Sequence, residues 1–194
     1  MFRDELYQLI KDRRSIRSWN DIDIPDHIVD KIIEAGVYAP SACSCQKVKF
    51  QLIKDKTMIE QISRNTSDWF QKTFPNKIIV TYFDLSVRDA HAINYGTPHK
   101  FWSRFIWQDS SAAMQNMILM AEALDVSSCW VSHRPDREGL HEGLIKLMLQ
   151  IPDHMILTSF LFLGYSEVKP NYETDYHQGN PIKRDMSGSR LKDI

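Results

Sequence analysis

Residues 110–124 carry Ala113, Met114, Met117, Ile118, Ala121 and Leu124 at the three- and four-residue spacing of a helix with an apolar side. A helix of this kind is stable only when that side is covered by other elements, so it has to sit at the centre of a core. The elements around it do not alternate as regular strand–helix–strand units. Asp4 caps a first helix through about Lys11, with Leu6, Leu9 and Ile10 as its apolar face. Pro25 opens a second, with Ile28, Ile32 and Ile33 on one side and Gly36 as its stop. A loop from Ala39 to Lys47 leads into a strand with Val48, Phe50 and Leu52 on one face, and another strand spans Ile78 to Phe83. After the central helix come a short strand, Ser128–Ser132, a helix from about Asp136 to Leu149, and an apolar strand, Met155–Leu163, behind Pro152. This irregular mixing predicts an α+β fold, and 194 residues suit one domain with a real core rather than two.

Charge narrows the partners. Lys and Arg number 24 against 25 Asp and Glu, so no global field draws in nucleic acid or an anionic membrane. The most apolar stretch, residues 155–164, is too short to span a bilayer. The first five residues, Met1-Phe2-Arg3-Asp4-Glu5, are acidic where a signal peptide would be basic, which predicts a cytoplasmic protein. Three cysteines, Cys43, Cys45 and Cys129, form no disulfide framework. With His133 they have the wrong spacing for a structural zinc site, and Cys129 reads as part of a buried strand, so no metal is expected. The last thirty residues, 165–194, are too polar to stay ordered alone; they are either disordered or wrapped on another surface such as a partner subunit. Residues 84–107 are irregular and rich in aromatic and His residues, and no role follows from them.

Glycine-rich dinucleotide and phosphate loops are missing, as are the serine-hydrolase elbow and the zinc-protease motif. Any phosphate site must be built locally. Arg13-Arg14-Ser15-Ile16-Arg17, just past a helix end, could clamp a phosphate dianion through charge-assisted bonds; equally, these cations could complement the helix dipole. Ala39-Pro40-Ser41-Ala42-Cys43-Ser44-Cys45-Gln46 has small residues that permit close approach to a flat ligand and polar edges to meet it, or is an ordinary connection. The third candidate runs from Asp109-Ser110-Ser111-Ala112-Ala113-Met114-Gln115-Asn116 through to Ser127-Ser128-Cys129-Trp130-Val131-Ser132; its helix is most simply a core helix, while Trp130 and Ser132, at a strand end, could line a pocket.

Taken in order, these segments resemble the nitroreductase-like FMN-dependent family. The likeness rests on Arg-Arg-Ser-x-Arg near the start, Ala-Pro-Ser-Ala followed by Gln, and a small-residue helix carrying Gln115-Asn116. Ser128-Cys129-Trp130 and a last strand ending Leu163-Gly164-Tyr165 complete it. It covers nearly the whole chain. It implies an α/β sandwich with a central, mostly antiparallel sheet flanked by helices. It further implies a homodimer with FMN at the interface and a C-terminal arm, residues 165–194, exchanged between subunits. Arg13, Arg14, Ser15 and Arg17 are then expected at the FMN phosphate, ribityl chain and ring edge, with Pro40, Ser41, Ser44 and Gln46 reaching the flavin from the other subunit. Trp130, Val131 and Ser132 are expected along the ring. The basic residue that closes the phosphate site in the family would have to be Lys183 or Arg184, because Asn180 precedes Pro181-Ile182.

The chain departs from the family at Cys43-Ser44-Cys45-Gln46-Lys47-Val48, where relatives commonly have Gly-Asn-x-Gln-Pro-Trp. Ser44 replaces an Asn ring contact, and Lys47 replaces a Pro and is expected to bring a cation to the pocket mouth. The resemblance implies an oxidoreductase driven by NADH or NADPH that reduces a small organic acceptor. The cofactor carries the chemistry and no side chain is required as a base, with Arg17 best placed to stabilise reduced flavin. Two rival readings are a flavin-binding protein without nicotinamide-driven turnover and an FMN enzyme acting on its own substrate without NAD(P)H.

Overall fold

Every residue of one strand, Lys77–Asp84, is buried, which requires cover on both faces of its sheet. The structure, a computed structural model, describes residues 2–66, 73–86, 104–132 and 140–168. Over these the order is α1 (Phe2–Asp12), α2 (Asp26–Val37), a 3₁₀ turn (Ala42–Ser44), β1 (Val48–Ile53), α3 (Lys56–Thr66), β2 (Lys77–Asp84), α4 (Ile106–Ala123), β3 (Ser127–Val131), α5 (Leu140–Met148) and β4 (Met155–Gly164).

The strands form one sheet in the order β1-β2-β4-β3, each neighbouring pair antiparallel. Side chains alternate across it with the strand period of two. Ile79, Leu161 and Leu163 meet Val29 and Ile32 of α2 and Met114, Met117, Ile118 and Ala121 of α4. On the other face Ile78, Val80, Cys129, Val131, Phe160 and Phe162 meet Ile59 and Ile62 of α3 and Ile145 of α5. A bulge between Thr81 and Tyr82 places Thr158 outside the register, and its hydroxyl donates to Thr81 O at 2.9 Å, so the extra residue stays satisfied. The α+β class and the antiparallel sheet flanked by helices are as expected.

Several boundaries differ from the sequence reading. The first helix begins before Asp4, so that residue sits in its first turn rather than as its cap, and Leu6 and Ile10 are 55% and 48% exposed instead of buried. Gly36 does not stop α2; it lies inside, where a Cβ would come within 2.9 Å of Met117 Cγ and 3.0 Å of Phe50 Cζ. Its role is close packing of α2 on α4 and β1. The helix α3 is additional to the elements expected from the sequence; Ile59, Ile62, Ser63 and Thr66 have helical spacing, and Asp55 caps it by accepting the Met58 N–H at 2.8 Å. Residues 87–103, 136–139 and 169–194 lie outside the described residues. So do His133, Lys183, Arg184 and most of the expected arm. No helix among the described residues is long and apolar enough to cross a membrane.

Candidate active site

The arginine run is fastened to the sheet. Arg13 N–H closes α1 on Leu9 O at 3.1 Å, after which the chain extends beside β3. Ser15 forms a parallel bridge with Ser128, and Ile16 N–H donates to Ser128 O at 2.9 Å. Ile16 turns inward at 4% exposure, so alternation sends Ser15 and Arg17 the other way. Arg17 is exposed, and its Nη1 donates to Ser15 O at 3.3 Å. Arg13 and Arg17 lie near enough to β3 to act on Cys129. Burial pushes that thiol up to about 11, while the two guanidinium charges pull against the shift.

Arg14 faces elsewhere. Its Nη1 donates to Lys11 O at 2.5 Å and to Arg13 O at 2.9 Å, capping α1, and it lines a separate cavity of about 170 Å³ with Asp12, Glu122 and Asp125. Along β3, Trp130 is 41% exposed and Ser132 is exposed, whereas the Val131 side chain packs into the core and leaves only its backbone for a ligand.

The loop after α2 has a distinctive backbone. Cys43, Ser44 and Gln46 have φ of 53°, 54° and 49°, a left-handed conformation that non-glycine residues seldom adopt. Local bonds brace it: Ser44 N–H to Ser41 O at 3.0 Å, Cys45 N–H to Ala42 O at 3.1 Å and Gln46 N–H to Ser41 Oγ at 3.1 Å. A tertiary bond joins it to α4, where the Asp109 carboxylate accepts the Ala42 N–H at 3.1 and 3.2 Å. Asp109 is buried, and that burial raises its pKa against the opposing Ala42 hydrogen bond. Pro40, Ser41, Gln46, Tyr38, Phe50 and Asp109 line a cleft of about 470 Å³.

Lys47 does not stand at the mouth of this cleft. It is 0% exposed, and its carbonyl accepts Asp84 N–H at 2.9 Å, continuing the pairing of β1 with β2. Asp109 opens the segment that the sequence reads most simply as a core helix, and its bond to the loop gives it a part in the site that this reading does not assign.

The structure thus brings Arg13, Ser15, Arg17, Trp130 and Ser132 together and leaves Pro40, Ser41, Ser44 and Gln46 apart. The first group flanks β3, and Ser128 lies level with Leu163 and Lys77 near the far end of β1; the loop enters β1 at Val48, beside the other edge. By register Trp130 is level with Leu161, Ile79 and Leu52, so the whole width of the sheet separates the arginine run from the strand that the loop enters.

Residues 10–165 match the profile of the nitroreductase family. The chain belongs to that family. Two archaeal relatives carry the provisional name NADH dehydrogenase/NAD(P)H nitroreductase. The one from Archaeoglobus fulgidus is 29% identical over 91% of this chain and 92% of its own length. The one from Methanothermobacter thermautotrophicus is 31% identical over 86% and 80%. Among solved structures, an FMN-dependent nitroreductase from Clostridium difficile R20291 superposes with a TM-score of 0.71 at 21% identity, over 96% of this chain and 98% of that one. At that identity the superposition establishes the nitroreductase fold.

Proposed function

We propose that this nitroreductase-family chain binds FMN and reduces a small organic acceptor with NADH or NADPH as donor. The observation that carries the reading is the clustering of Arg13, Ser15 and Arg17 beside the exposed Trp130 and Ser132. Two guanidinium groups and a hydroxyl suit a phosphate dianion and ribityl oxygens, and the exposed aromatic suits a flat ring. These residues fit FMN. The relatives named for NAD(P)H and FMN chemistry support the same assignment.

When bound, FMN supplies a ring that accepts and returns hydride. The protein's part is to bind and orient. Arg13 and Arg17 hold the anionic end, and Arg17 offers positive charge to a ring edge that gains electrons. Arg14, held on the end of α1, fixes the geometry of the run it belongs to. Val131 supports the ring by its backbone while its side chain anchors β3 in the core.

A homodimer accounts for the separation of the two groups, with the loop of a second copy meeting the arginine run of the first. Leu6, Tyr7 and Ile10 on α1 and Val37 and Tyr38 at the end of α2 remain exposed, which is apolar surface for a partner to cover. Lys183 or Arg184, in an arm crossing to the partner, would close the phosphate site.

Recording the visible spectrum of the purified protein, then adding NADH and NADPH without oxygen, tests the assignment. A yellow protein that bleaches is the expected result. One that stays yellow favours a flavin binder without nicotinamide turnover, and a colourless one that takes up no FMN rejects the proposal.

A further inference from the structure

We propose that Asp109 is the positioning residue of the flavin loop, its carboxylate on the Ala42 N–H holding residues 41–46 in their ligand-binding shape. The inference rests on the FMN reading for the ligand, but the clamp itself is visible in the chain alone.

Three observations converge on it. The contact joins residues 67 apart in sequence and uses both carboxylate oxygens, at 3.2 and 3.1 Å. Asp109 is 7% exposed as a residue, so its bond to the Ala42 N–H is partly shielded from water. The segment it holds has three non-glycine residues at positive φ, Cys43, Ser44 and Gln46, a backbone that persists only where the surroundings over-determine it. The bonds bracing that segment from within, through Ser41 and Ala42, move with it and cannot fix it relative to the sheet. Asp109 stands on α4, whose Ala113, Met114 and Met117 are buried, so the clamp ties the loop to a helix packed in the core. Asp109 and the loop residues Pro40, Ser41 and Gln46 line the same cleft.

Cys43 and Cys45 make the loop's shape measurable without any flavin. Cys43 is exposed and Cys45 half-buried, with its Sγ 3.5 Å from Cys43 O. In the apo protein an aromatic disulfide reagent should label Cys43 quickly and Cys45 slowly, with C43S and C45S assigning the phases. In D109A the Cys45 rate should rise at least tenfold and the FMN dissociation constant should rise about tenfold or more. D109N retains one acceptor oxygen and should restore both toward wild type. If D109A and D109N both leave the Cys45 rate and FMN affinity unchanged, the proposal is overturned. Wild-type protein that takes up no FMN, combined with faster Cys45 labelling in D109A, would keep the clamp and reject the flavin assignment. Should D109A fail to fold, Asp109→Ser takes its place, since its shorter side chain falls short of the Ala42 N–H. Faster Cys45 labelling and weaker FMN binding in D109S support the clamp, and wild-type values for both overturn it.

Discussion

Ile16 N–H donates to Ser128 O at 2.9 Å, and through this bond the arginine run becomes an extra edge of the sheet beside β3. The bond turns a charged stretch that could have merely followed a helix into part of a site. It also divides the three arginines, since Arg17 is presented outward while Arg14 folds back on α1.

That division predicts different outcomes for neighbouring substitutions. Arg17→Ala and Arg13→Ala should each weaken FMN binding by about 1.5–3 kcal/mol, the range for a lost hydrogen bond to a charged group, with little change in melting temperature. Arg14→Ala should chiefly lower the melting temperature, because it removes the cap on Lys11 O and Arg13 O. Flavin titration and thermal melts of the three variants check this; equal FMN losses without destabilisation in Arg14→Ala would contradict the division. Arg13→Lys should also bind less well, because an ammonium cannot make the bidentate contact.

If the site is shared between two chains, inactive variants should complement each other. A chain carrying Arg13→Ala and Arg17→Ala, and another carrying Asp109→Ala, would each bind FMN poorly. Unfolded together and refolded, they should regain tight binding at about a quarter of all sites, since half of randomly paired dimers are mixed and each holds one intact site. Titration of the mixture against each variant alone measures it. No recovery would mean that the two groups serve one chain's site or different ligands.

Acid stability should depend on Asp26. Its carboxylate accepts from Lys54 Nζ at 2.6 Å and from Lys77 Nζ at 2.9 Å, and these bonds lower its pKa from 3.8 to about 2. A folded pKa below the unfolded one gives a contribution fully present above the ordinary carboxylate range and lost as pH falls toward about 2. Asp26→Asn should therefore flatten part of the fall in melting temperature between about pH 5 and pH 2. Identical pH profiles would show that Lys77, which also donates to Ile24 O at 2.6 Å, is satisfied without it.

Two close approaches should tolerate no methyl group. At Gly36 a Cβ meets Met117 and Phe50 at 2.9 and 3.0 Å, and at Gly164 it meets Asn76 Oδ1 at 2.5 Å and Trp19 Cε3 at 2.7 Å. Gly36→Ala and Gly164→Ala should each cost about 1–3 kcal/mol, the usual penalty of overpacking. Chemical denaturation measures both, and an unchanged midpoint at Gly36 would mean that the Met117 side chain moves aside freely.

Periodicity and local residue chemistry were enough for the α+β class, for the central helix, which begins at Ile106 rather than Ser110, and for β1, β2, β3 and β4 to within one residue or so, because a core helix and buried strands leave their spacing in the chain. The order of the weak motifs was enough for the family. Tertiary structure decided the rest. Only the sheet order shows that Arg17 and Gln46 lie at opposite edges, since strand pairing joins residues by register and not by sequence distance. Only packing shows Lys47 buried rather than at the pocket mouth, because burial depends on what a neighbouring strand covers. The contact between Asp109 and Ala42 was equally illegible: a carboxylate meeting a backbone N–H that far along the chain has no sequence pattern, and folding alone brings the two together.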